Sequence, residues 1–160
     1  MTDASPPAAV SLLWSMSDDA RAIAALHSTL FTTPWEVDAV KALIEHPAAV
    51  SLIATLPGRE IVGFVIAQIA ADEAEILTIG VAANAQRRGI GRQLVDGTVR
   101  AAARAEARRL YLDVAASNTS GRALYAACGF SESGRRKAYY TLPGGAREDA
   151  LLLARDLTAA

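Results

Sequence analysis

The chain has 160 residues, a formal net charge of −1 and 52% hydrophobic residues. That hydrophobic content excludes a disordered chain, and near-neutrality excludes attachment to nucleic acid or anionic membrane by overall charge. A single cysteine, Cys128, excludes an intrachain disulfide and a cysteine-built zinc site, and no metal is expected. No apolar run reaches the ~18 residues of a membrane span, and the opening MTDASPPAAV lacks the basic stretch of a secretory signal. A cytoplasmic protein is the expectation, monomeric or a weak homodimer, with no nucleic-acid or membrane partner. The basic residues gather at Arg87–Arg92, Arg100–Arg109 and Arg135–Lys137, which points to local anion sites on a neutral body.

Residues 1–9 are small, polar and proline-containing, and read as a loose leader before one domain over residues 10–160. Val10–Met16 is the first candidate strand. Ser17-Asp18-Asp19 marks a helix start, with acidic side chains at the positive end of the helix dipole. Ile23, Leu26 and Leu30 are spaced for the buried face of that helix, and Thr32-Thr33-Pro34 breaks it. A second helix is predicted from about Glu36 to Glu45, ended by Pro47.

The period then changes. Ala49–Thr55 and Glu60–Ala71 are apolar and rich in β-branched residues, and Leu56-Pro57-Gly58-Arg59 between them signals a hairpin. Asp72-Glu73 is a second turn, and Glu75–Val81 completes an antiparallel meander. A glycine-containing turn leads into a helix reaching about Ala107, with Ile90, Leu94, Ala101, Ala102 and Ala105 on or near one face. Leu110–Ala115 alternates and should lie parallel to the strand before that helix. Thr119–Ala127 reads as a short helix closed by Gly129. Glu132–Lys137 and Ala150–Asp156 are a final pair of strands joined through Leu142-Pro143-Gly144-Gly145. The fold class is α/β (α+β): a mixed, mostly antiparallel sheet of about six or seven strands flanked by about four helices.

The turn between the fourth strand and third helix, Gln86-Arg87-Arg88-Gly89-Ile90-Gly91-Arg92, carries the chemistry. A strand, a glycine turn and a helix start aim free backbone N–H groups at an anion. Gly89 and Gly91 let backbone approach a phosphate closely, and Arg87, Arg88 and Arg92 add positive charge. A pyrophosphate cradle and an ordinary strand–helix turn both fit these residues taken alone.

Gln86-x-x-Gly89-x-Gly91 in this context resembles the coenzyme A motif of the GCN5-related N-acetyltransferase (GNAT) superfamily. Asn118, Ala123-Leu124-Tyr125 and Cys128-Gly129-Phe130 are similar to the later family block N-x-x-A-x-x-L-Y-x-x-x-G-F. Within the superfamily the chain looks like the RimI group, which acetylates the N-terminal alanine of a ribosomal protein. The pieces are Pro34-Trp35, Asp72-Glu73-Ala74, Leu112-Asp113-Val114 with Ser117-Asn118, Arg135-Arg136 with Tyr139-Tyr140, and Arg147-Glu148-Asp149-Ala150.

The resemblance implies that acetyl-coenzyme A is the cofactor. The amides of Arg87, Arg88, Gly89, Ile90, Gly91 and Arg92 would then hold its pyrophosphate, and the edge Ile79-Gly80-Val81 would pair with its pantetheine as an added strand. Gly80, inside an apolar strand, suits a bulge or a close backbone approach, and the Val81 N–H is a candidate donor to the thioester oxygen. The implied acceptor is a protein N-terminus. A lysine, a small amine, or a coenzyme A-binding module without catalysis are the alternatives.

Asp113 is the candidate base. It is a charge within a strand, on the face opposite Leu110, Leu112 and Val114, and a solvated or capping aspartate is the other reading. The RimI group carries Glu at this position, followed by Val-Arg, where this chain has Asp113-Val114-Ala115; the shorter aspartate brings in a water relay. Tyr125 is the candidate acid, as a phenol protonated at neutral pH, or else a core aromatic. Asn118 hydrogen-bonds the cofactor, caps a helix, or does both. Trp35 and Tyr139 are candidates to line the acceptor groove; a loop tryptophan covering the core and a solvated basic strand end are the other readings. Glu148-Asp149 either attracts a cationic peptide or is an exposed charge pair. His27, His46 and Cys128 read as structural or surface residues.

Overall fold

The computed structural model describes residues 9–158, so the expected leader lies outside the described residues except for Ala9. Seven strands form one sheet in the order β1-β2-β3-β4-β5-β7-β6. They are β1 Ser11–Trp14, β2 Ala49–Leu56, β3 Glu60–Ala70, β4 Glu73–Val81, β5 Arg109–Ala115, β6 Ser131–Thr141 and β7 Arg147–Asp156. The helices are α1 Ala20–Leu30, α2 Val37–Glu45, α3 Ile90–Arg104 and α4 Thr119–Ala127. Every strand pair is antiparallel except β4–β5, the parallel crossover carried by α3.

Strand alternation divides the core between two sheet faces. Ile53, Phe64 and Ile66 point one way and are covered by Ile23 of α1 and Val40 of α2. Leu52, Val65, Ile76, Leu110 and Leu112 point the other way, under Ile90, Leu94 and Val95 of α3 and Tyr125 of α4. A 3-10 turn, Ser17–Asp19, opens α1. Asp19 there accepts the Met16 N–H at 2.8 Å and an Arg59 guanidinium N–H at 3.1 Å, which stabilises the helix start.

The third helix and the last two strands differ from those expected. The third helix ends at Arg104, so Ala105 is past its last turn and exposed, and Val95 and Thr98 are buried instead. Its end is a Schellman closure: the Ala107 N–H reaches Ala102 O, the Glu106 N–H reaches Ala103 O, and Glu106 is left-handed at φ 65°. A glutamate where glycine is usual hid that ending. The last two strands are longer than expected because β6 passes through a bulge between Arg136 and Tyr140 rather than stopping at Lys137. Ala138 is left-handed there, at φ 51°, and its N–H donates to Asp149 Oδ1 at 2.9 Å. Asp149 therefore fastens the bulge, and its carboxyl is held below the usual range first by that backbone N–H and then by Arg135.

Candidate active site

β4 and β5 pair only from Glu73↔Arg109 to Ile76↔Leu112. Beyond that point β4 stays with β3 as far as Val81↔Gly63, and β5 stays with β7 as far as Ala115↔Ala150. The two strands thus splay into a V, with Ile79–Val81 on one arm and Asp113–Ala115 on the other. The Ala82 N–H donates to Val62 O on β3. Alternation along the strand turns the N–H groups of Val81 and Ile79 the opposite way, into the V. An unpaired strand edge inside a cleft can take an extended ligand as an added strand.

The glycine turn closes one end of the V. Gly89 is the residue before α3 and adopts φ 78°, and Arg87 is also left-handed at φ 63°. The first helical bond runs from the Gln93 N–H to Gly89 O. The amides of Ile90, Gly91 and Arg92 therefore lack partners within the helix, and the first turn of α3 holds no acidic residue. Such a terminus is built for an anion. The Gln86 side-chain N–H donates to Val81 O at 2.9 Å, bracing the turn onto the end of β4.

This cleft, about 380 Å³, is lined by Ile79, Gly80, Val81, Arg87, Gly89, Ile90, Gly91, Arg92 and Asn118, together with Tyr125. Nine of the ten predicted cofactor residues thus meet in one place; the exception, Arg88, stands exposed on the turn outside the lining. The donor set fits a pyrophosphate with a pantetheine arm: unpartnered helix amides and arginines at one end, and an open strand edge at the other.

Asn118 precedes α4 and its Oδ1 accepts the Gly121 N–H at 2.9 Å, so the helix-capping role is realised while the residue also lines the cleft. Tyr125 lies 8% exposed on α4, edge-on to Phe130 at 6.0 Å between ring centroids. Burial, followed by the nearby Cys128 and Tyr140, pushes its phenol up to about 12. It is a proton donor throughout the neutral range.

A wider groove of about 630 Å³ opens from the other side of the sheet and shares Ile79, Gly80, Val81, Gln86, Asn118 and Tyr125 with the first. Asp113 lies on its wall, on the β5 face expected from alternation. Its carboxylate is 15% exposed and stands 3.5 Å from Arg136 Nε, without hydrogen-bond geometry. Trp35 lines this groove and also packs against the α1/α2 core, and its ring stacks on His27 at 5.1 Å. His27 is buried, stacks on Phe31 at 4.2 Å, and is driven towards the neutral form by that burial.

Tyr139 is not in the groove. The bulge at Ala138 turns Tyr139 outward, half exposed beneath the Arg136 guanidinium, and places Tyr140 and Glu148 in the lining. Burial, and next the Asp113 carboxylate, raise the Tyr140 phenol above its ordinary value. Gly80 is not at a bulge either; it pairs regularly with Phe64, and the irregularity falls at Leu77. Glycine is required because a Cβ at position 80 would stand 2.7 Å from Leu30 Cδ1 and 2.9 Å from Phe64 Cζ. Sequence reasoning also passed over Thr78, a lone hydroxyl in an apolar strand, which lines the groove 7% exposed.

Among the described residues no group of three or more His, Cys, Asp and Glu is gathered to hold a metal, and no helix is long and apolar enough to cross a membrane.

The chain is 38% identical over 91 residues to the [ribosomal protein bS18]-alanine N-acetyltransferase of Escherichia coli K12, a match covering 57% of this chain and 61% of the relative. A Bacillus subtilis protein named as a putative enzyme of the same kind is 33% identical over 129 residues, covering 80% of this chain and 83% of the relative. The crystal structure of the E. coli ribosomal-protein-S18-alanine N-acetyltransferase superposes with a TM-score of 0.87 at 28% identity, over 95% of this chain and 96% of that one. Arabidopsis thaliana NAA60 in complex with acetyl-CoA shares the fold, with a TM-score of 0.84 at 22% identity over 94% of this chain and 100% of that one. The model of the acetyltransferase (GNAT) family matches residues 20–130, more than half the chain, and the chain belongs to that family.

Proposed function

We propose that the protein transfers an acetyl group from acetyl-coenzyme A to the N-terminal α-amine of a protein, directly, with both substrates bound together. The observation that carries this reading is the V between β4 and β5: anion-binding amides lie at its end, free amides on one arm, and a carboxylate on the other. Bound acetyl-coenzyme A would supply an activated thioester carbonyl. Arg87, Arg92 and the amides of Gly89–Arg92 hold its pyrophosphate, and the Ile79–Val81 edge aligns its extended arm. The Val81 N–H donates to the carbonyl oxygen as negative charge develops there. Asp113 accepts the proton of the attacking amine, and Tyr125 returns one to the departing sulfur.

Acceptor chemistry favours an α-amine. Its ordinary pKa of about 7.7–8.0 makes deprotonation at neutral pH cost about 1 kcal/mol, whereas a lysine near 10.4 costs several. A single largely shielded carboxylate suffices for the former. The relatives' names specify ribosomal protein bS18-alanine, so peptides beginning with alanine are the first acceptors to try. The test offers acetyl-coenzyme A with such peptides, with N-terminally blocked lysine peptides and with polyamines, and locates the acetyl group by mass spectrometry. Acetylation confined to free α-amines supports the reading. Turnover on lysine or polyamine alone replaces the acceptor class, and binding without turnover on any amine leaves a coenzyme A-binding module.

A further inference from the structure

Two buried side-chain polar atoms among the described residues make no hydrogen bond, Thr78 Oγ1 and Asp113 Oδ1. Both line the same groove, one on each arm of the V just beyond the last β4–β5 pair, Ile76↔Leu112. Their placement on one face of the sheet depends on the bulge at Leu77. Ile76 pairs with Ala67 and faces α3, and regular alternation would turn Thr78 the same way. The extra residue instead sets Thr78 opposite Ile66, on the α1/α2 face of the sheet. Asp113 points to that face too, since Leu112 and Val114 belong to the α3 side. A buried hydroxyl without a partner is destabilising, so a strand bulged to turn one into the groove that also holds a second unpartnered oxygen marks a place for a polar occupant. Arg136 Nε stands 3.5 Å from Asp113 Oδ1 without hydrogen-bond geometry, so it does not fill that oxygen's need.

Resting on the proposed acetyl transfer, we infer that Thr78 and Asp113 hold a water between β4 and β5, and that this water carries the acceptor amine's proton to the carboxylate. The water accepts one proton from the amine nitrogen and passes one of its own to Asp113 Oδ1. The water is regenerated, the amine nitrogen keeps its electron pair for attack, and the carboxylic acid formed later releases its proton to solvent. Thr78 is a positioning residue, acting on the amine only through the water. The relay also accounts for an aspartate at the base position, because the water makes up the reach that one methylene would otherwise supply.

The experiment is a double-mutant cycle on the full chain, with an acceptor that the wild-type protein acetylates. Thr78→Val removes the hydroxyl at nearly constant shape. It should lower kcat by about tenfold or more, leave coenzyme A affinity within about twofold, and leave Tm unchanged or higher because an unpartnered hydroxyl is gone. Thr78→Ser should recover most of the rate. Asp113→Glu lets the carboxylate reach the amine itself, so adding Thr78→Val to it should cost less than about twofold. Unchanged kcat in Thr78→Val overturns the relay, as does an equal loss in the Asp113→Glu background. Should Thr78→Val not fold, Thr78→Ala and Thr78→Ser take its place, and equal rates in those two overturn the relay. No transfer to any amine by the wild-type protein removes the function and the relay together. Wild-type turnover with an insensitive Thr78 removes the relay alone.

Discussion

Asp113 on β5 and Arg136 on β6 meet at 3.5 Å, Oδ1 to Nε, although β7 lies between their strands. The contact runs over Leu152, which pairs with Asp113 on one side and with Gly134 on the other. Glycine at 134 leaves the surface over Leu152 open, so the arginine can lie across it towards the Asp113 carboxylate.

In the proposed reaction that cation would compete with the acceptor's ammonium for one carboxylate. Arg136→Gln should therefore lower the acceptor KM. The arginine side chain is 51% exposed, and exposed pairs are worth ~0.2–1 kcal/mol, so the expected gain is about 1.5- to 5-fold. It should shrink in high salt. Steady-state kinetics at two ionic strengths measure it; an acceptor KM that rises in Arg136→Gln would instead make Arg136 an acceptor-binding group.

Tyr125→Phe should lower kcat by about 100-fold or more, the scale of a lost general acid, and leave coenzyme A affinity nearly unchanged. The phenol also gives a stability signature. Its folded pKa, about 12, stands above the ordinary 10.0. The stability linked to the protonated phenol is fully present below pH 10 and is lost as pH rises through about 12. An increase of that size is worth about 2–3 kcal/mol. Urea melts between pH 9 and 12 should show a shallower alkaline loss in Tyr125→Phe than in the wild-type protein, with Tyr140 contributing in the same direction to both. Parallel pH curves would sink the assignment of a strongly raised phenol.

What was legible in the sequence was local. Thr119–Ala127 came out residue for residue, because a capping asparagine precedes it and a glycine at φ 90° follows it. The glycine turn that opens α3 was legible for the same reason, since glycines and a helix start lie within a few residues of each other. The V was not, because the point where β4 leaves β5 depends on how long β5 stays paired with β7. The exchange of Tyr139 for Tyr140 follows from a bulge fastened by Asp149, eleven residues from Ala138. Gly80 drew attention correctly as an oddity, but its cause is the tertiary approach of Leu30 and Phe64.

Gly80→Ala tests that cause. The added Cβ would fall 2.7 Å from Leu30 Cδ1 and 2.9 Å from Phe64 Cζ, and Phe64 is fully buried. Overpacking of this kind costs about 1–3 kcal/mol. Thermal or urea unfolding should show that loss, together with a reduced kcat as the Ile79–Val81 edge shifts. Leu30→Ala in the Gly80→Ala background should restore part of the stability, because one of the two clashing groups is then gone. Two losses that simply add would mean that Leu30 does not press on position 80.

Gly89 and Gly91 separate two reasons for glycine in one turn. A Cβ at 89 would meet nothing within 4 Å, but the residue sits at φ 78°; a Cβ at 91 would meet Leu124 Cδ2 at 3.2 Å. Gly89→Val should therefore act through the backbone. A β-branched residue resists the left-handed region by about 1–2 kcal/mol, and relaxing it re-aims the amides that open α3. Coenzyme A affinity should fall about tenfold or more, ~1.4 kcal/mol, measured by calorimetric titration. Gly91→Ala should chiefly lower Tm, through Leu124 and the packing of α4, with a smaller effect on affinity. If Gly89→Val leaves coenzyme A binding intact, the pyrophosphate does not lie on this turn.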